Sequence, residues 1–133
     1  MEREKFLNNA FSGCKNLIQK IDTLEEFNDL LIKSFPNKAH LSKCLEHSDK
    51  IKKEIESLLK LTKTQESQIA GIMRNYLNEA LELIKGYQGY LEKFDKLNVS
   101  NIQNLGKILK LLKNVLQGLG VELSAELKFR KAA

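Results

Sequence analysis

The chain has no tryptophan, a single proline, two cysteines and seven glycines in 133 residues. Two cysteines are too few for a disulfide scaffold, and so little proline and glycine excludes a collagen-like or low-complexity chain. No apolar run approaches the 18 or so residues of a membrane span. The start, Met1-Glu-Arg-Glu-Lys5, mixes charge signs and lacks the basic n-region and continuous apolar stretch of a secretory signal, so the reading is a cytoplasmic protein. Between Asp95 and Glu122 acidic residues are absent, while Lys96, Lys107, Lys110 and Lys113 fall in that stretch.

What is present is apolar residue at helical spacing. With 42% apolar and 29% charged residues, the chain is long enough for one core. Phe6, Leu7, Ala10, Phe11, Cys14, Leu17, Ile18 and Ile21 share one face of a helix expected over residues 3–20. Thr23 and Glu26 have capping-box spacing and predict a short second helix ended by Ser34-Phe-Pro36. A third helix is expected from Pro36 to Leu61, its Leu41, Cys44, Ser48, Ile51, Ile55 and Leu58 spaced like a coiled-coil seam. A fourth, capped from Thr62-Lys-Thr64, carries Ile69 through Phe94. Its Ile69, Met73, Tyr76, Leu83 and Tyr87 are expected to pack on Ile51, Ile55 and Leu58, with a kink or close contact at Gly86 and Gly89. A fifth, from Asn101 to Gln117, begins at the Asn98-Val-Ser100-Asn101 junction and ends at Gly118-Leu-Gly120.

After Gly120 the period changes. Val121-Glu-Leu-Ser-Ala-Glu-Leu-Lys-Phe-Arg130 alternates apolar and polar residues, the pattern of a strand face, although Leu119, Leu123 and Leu127 also fit a short helix. The expected architecture is therefore an all-α bundle of four or five helices over residues 1–120, with an extended, β-patterned C-terminal tail over 121–133. An unpaired strand offers open backbone donors and acceptors to another chain. Val121, Leu123, Leu127 and Phe129 are thus the candidate partner-binding residues.

Every cysteine and histidine falls in one set, Cys14, His40, Cys44 and His47. The last three have H-x3-C-x2-H spacing on one sector of a helix, and with Cys14 they would make a tetrahedral zinc set; the cysteines equally suit an apolar core. The segment Ala39-His-Leu-Ser-Lys43 resembles the A-H-x-x-K core of histidine phosphotransfer domains, which are four-helix bundles. The resemblance spans five residues, with Ser42 and Cys44 where that family has leucine and glycine. It implies that His40 accepts a phosphoryl group with Lys43 beside it.

No Gly-rich phosphate loop, G-x-S-x-G elbow or E-x-x-H pair is present, and Glu25-Glu26, Glu54/Glu56 and Glu79/Glu82 lie on polar helix surface. Neither an enzyme nor a cofactor is expected. Net charge is +5, its surplus concentrated at residues 34–64 and 98–120. If the two segments met on one side of a bundle, Lys50, Lys52, Lys53 and Lys60 with Lys107, Lys110 and Lys113 would suit a nucleic-acid backbone, with Lys43 and Lys63 beside them. Only Arg3, Arg74 and Arg130 are arginines, so base-specific reading is not expected. Residues 101–117, leucines opposite lysines, would also suit a membrane surface, but a core helix is the better reading. The function these patterns favour is a non-enzymatic interaction module, an adaptor, chaperone or regulatory subunit, that self-associates. A basic subunit on nucleic-acid backbone is the alternative.

Overall fold

A computed structural model describes residues 2–34, 37–93 and 99–132. Four helices occur in chain order: α1 (Glu2–Lys33), α2 (Lys38–Thr62), α3 (Gln68–Glu92) and α4 (Val99–Ala132), and the described residues include no strand. α1 packs on α2 and α4, and α3 packs on the same two, so α2 and α4 lie on one diagonal and α1 and α3 on the other. The chain runs up and down through the bundle. Phe27 meets His47 while Gly13 approaches Leu58, so α1 and α2 are antiparallel.

The reason for the bundle is visible in its buried rows. α1 buries Leu7, Ala10, Cys14, Leu17, Ile21, Leu24, Asn28 and Leu31, and α3 buries Ala70, Met73, Leu77, Ala80, Ile84, Tyr87 and Leu91. Both rows step by alternating three and four, the repeat that lets nearly parallel helices interlock. The row of α2 (Cys44, Ser48, Ile51, Ile55, Leu58, Thr62) and that of α4 (Leu105, Leu109, Leu112, Leu116, Leu119, Leu123, Leu127) complete the core. Ile69 and Met73 enter the core as expected, but Tyr76 and Leu83 are only half-buried; Leu77 and Ile84 take those places.

Several boundaries differ from the sequence expectation. The first two expected helices are one, because neither glycine nor proline interrupts residues 14–34 and the buried row continues through them. Thr23 caps nothing: its Oγ1 donates to the Gln19 carbonyl at 3.2 Å inside α1. Asn37 caps α2, its Oδ1 accepting from the Ala39 and His40 amides at 2.9 and 3.2 Å. Ser67, not Thr62 or Thr64, caps α3, its Oγ accepting from the Ala70 amide at 3.3 Å. Thr64 instead donates to the Leu61 carbonyl at the end of α2. Pro36, Phe94, Lys96 and Asn98 lie outside the described residues.

The largest correction concerns the C-terminus. α4 does not stop at Gly118-Leu-Gly120, and residues 121–132 continue it as helix in place of an extended tail. Two interior glycines cost roughly 1 kcal/mol each in propensity, which tertiary packing outweighs. Gly118 suits that packing, since a Cβ there would stand 3.1 Å from Cε1 of Tyr76 and the ring would have to give way by a few tenths of an ångström. By contrast Gly86 and Gly89 have nothing within 4 Å of an added Cβ, so no close helix contact explains them.

Candidate interaction surface

Why residues 121–129 read as a strand becomes clear once they are wound as a helix. Leu119, Leu123 and Leu127 form an i, i+4 row facing the core. Val121, Ala125 and Phe129 form a second such row, offset by two residues and so about 200° around the axis. Interleaved, the two rows alternate apolar and polar residues. The helix is thus apolar on two opposite faces, of which the described residues cover one. Val121 is 69% exposed and Phe129 71%, the largest exposures among the described large apolar residues. Leu123 and Leu127, expected to meet a partner, are instead in the core.

Beside that outward row lies a groove between α1 and α4 of about 590 Å³. Phe11, Ile18, Val121 and Ala125 make its apolar wall, and Gly120 and Ser124 keep it open. Its charged lining residues are Lys15 and Lys128. Lys15 Nζ stands 4.6 Å from the centre of the Phe11 ring, a cation–π contact that holds the ammonium at the groove edge. On the other side of the row a second depression, toward α3, is lined by Ile69, Ile72, Arg3, Glu122 and Phe129.

Two contacts bolt this part of α4 to α1. The Cys14 thiol donates to the Leu116 carbonyl at 3.0 Å, and burial pushes the thiol up to about 11, offset in part by the Gly120 amide. Lys113 Nζ reaches Asp22 at 2.5 Å and Glu25 at 3.3 Å, and those carboxylates, Asp22 foremost, raise its pKa above the ordinary lysine value.

The protein matches no known family model, curated protein or solved structure. Its function must therefore be argued from its own surfaces.

The cysteine and histidine set does not converge. Cys14 sits between α1 and α4, whereas Cys44 lies in the core at Tyr87; both thiols are free and buried. His47 stacks on Phe27 with ring centres 4.8 Å apart, and His40 is half-buried in the first turn of α2. Among the described residues no group of three or more His, Cys, Asp or Glu is placed to hold a metal ion. Cys44 belongs to a polar layer that pattern reading missed: the Tyr87 hydroxyl donates to Oδ1 of buried Asn28 at 2.9 Å, linking α3 to α1. Burial raises both Cys44 and Tyr87.

The lysine segments do not meet either. Lys50, Lys52, Lys53 and Lys60 are on α2, and Lys107, Lys110 and Lys113 on α4, at diagonal corners of the bundle. Lys43 and Lys50 flank Glu46 at 3.9 and 3.4 Å, Lys53 pairs with Asp49 at 3.0 Å, and Lys113 is held by α1. No single basic face results. The leucines of residues 105–116 that suited a membrane surface form the inward row of α4, apart from Leu111, which is 54% exposed. Among the described residues no helix is long and apolar enough to cross a membrane.

Proposed function

We propose that the chain is a non-enzymatic helical interaction module, an adaptor, chaperone or regulatory subunit, that docks a protein on the outward row of α4 and the groove beside it. One observation carries this: a helix whose inward row completes the core exposes a second apolar row, with Val121 and Phe129 about 70% accessible. Exposed apolar ridges next to apolar grooves are what interaction sites present. A photo-reactive benzoylphenylalanine at Val121, in cells that make the protein, should give a discrete adduct. The same probe at Glu56, exposed on α2, should give none. Equal labelling from both sites, or none from Val121, would sink the reading.

Binding to a nucleic-acid backbone is the weaker reading. It would rest on Lys107 and Lys110 of α4, which have no ion-pair partner among the described residues, without help from the α2 lysines on the opposite corner. A mobility shift at low salt that collapses at high salt would favour it.

A further inference from the structure

Resting on the docking surface proposed above, we infer that its occupant is a second copy of this chain, related by a two-fold axis running along the bundle. Two features of the surface carry this. The first is shape. A two-fold contact uses the same patch on both subunits, so a projection and the depression that receives it must lie side by side on one face. The outward row of Val121, Ala125 and Phe129 is such a projection, and the groove at Phe11 and Ile18 adjoins it. An axis parallel to the helices sets the row of each copy against the groove of the other.

Charge supplies the second argument, and it also chooses the direction of the axis. Seen down α4 with Ala125 at the centre, Lys128 lies about 60° to the groove side and Glu122 about 60° to the other side. Glu122 is exposed and forms no ion pair among the described residues; Glu126 and Arg3 line the same flank, which leaves it net acidic by one charge. An axis along the bundle, between row and groove, brings the partner's Lys15 on α1 to the flank that carries Glu122, twice over by symmetry, while Lys128, on the lip between row and groove, lies near the axis. An axis across the bundle, with the α4 helices antiparallel, would bring lysine flank against lysine flank and glutamate flank against glutamate flank. Opposite charges facing each other fix register and orientation; like charges oppose association. An acidic helix from an unrelated protein, or an anionic lipid surface, would use the two lysines but face Glu122 with like charge.

The test is sedimentation equilibrium of the full chain as wild type, Glu122→Lys, the double variant Lys15→Glu/Lys128→Glu, and an equimolar mixture of the two variants, with helicity checked by circular dichroism. The wild type should be dimeric. Each variant alone should dimerise roughly tenfold or more weakly, since both contacts become repulsive, and the mixture should recover to within about threefold because every facing pair is again opposite. Should Glu122→Lys lose helicity, Glu122→Gln replaces it, with a loss of about threefold expected. A monomeric wild type at about 100 μM would overturn the second copy as occupant. So would variants that dimerise like wild type, or a mixture no tighter than either variant. The docking surface itself stands or falls separately, on the Val121 adduct: an adduct of a mass other than two chains keeps the surface and removes the self-pairing.

Discussion

The outward faces of α2 and α4 occupy opposite corners of the same bundle and are built on opposite principles. On α2, Lys43, Glu46, Asp49, Lys50 and Lys53 pair along the helix at three- and four-residue spacing, so the face satisfies itself and asks for water. On the C-terminal half of α4 the corresponding positions are Val121, Ala125 and Phe129, which nothing among the described residues covers. A face rich in charge is thus the quiet one. The surface proposed to dock a partner is the short apolar row, and the lysines of α2 and α4 fall at different corners.

The sharpest way to break the contrast is to separate the two rows of α4 by mutation. Leu123→Ala removes a fully buried side chain and should cost about 2–5 kcal/mol in urea unfolding. Val121→Ala, two residues away on the outward row, should change stability by no more than about 0.5 kcal/mol while weakening association. If residues 121–130 were an extended tail, the two substitutions would have similar, small effects on folding.

Alkaline pH probes how α4 is fastened to α1. The Cys14 thiol titrates near 11 in the fold against 9.0 for a free thiol. The unfolded chain therefore loses its proton first, and the stabilisation present below pH 9 drains away as pH rises toward 11. The difference corresponds to about 2–3 kcal/mol. Lys113, raised by Asp22 and Glu25, works in the same direction above the ordinary lysine value. Burial of Cys44 and Tyr87 adds to the same alkaline loss. The contribution of the α1–α4 seam is isolated by Cys14→Ala, whose unfolding free energy should fall less steeply between pH 9 and 11 than that of wild type. Equal slopes would remove Cys14 from the account.

Much of this architecture is legible in the sequence, because a three-four repeat of apolar residues is what a bundle buries; the seam from Cys44 to Leu58 is plain in the spacing alone. Two kinds of signal misled. Local cap chemistry at Thr23 and helix-breaking glycines at 118 and 120 are worth about 1 kcal/mol each, and unbroken core rows on either side outweigh them. The alternation after Gly120 was ambiguous in a deeper way: two four-residue rows offset by two give the same string as a strand. Leu119, Leu123 and Leu127 held the answer, but only their burial against α1 and α3 decides between the readings. The groove was legible only in part, since Phe11 and Ile18 read as core from α1 alone and become its wall once α4 lies beside them.

The smallest expected effect lies on α2. Lys50 and Lys53 pair with Glu46 and Asp49, and both lysine side chains are more than half exposed, so solvent and salt screen both contacts. Replacing each lysine by glutamine should cost at most about 0.3–0.5 kcal/mol, a difference that disappears in about 1 M salt. Association should be unchanged, because α2 sits diagonally across the bundle from α4 and its face takes no part in the contact proposed there. If these substitutions weakened self-association as strongly as Glu122→Lys, the contrast between the two corners would be wrong, and the paired lysines of α2, not the apolar row of α4, would be the surface that the partner reads.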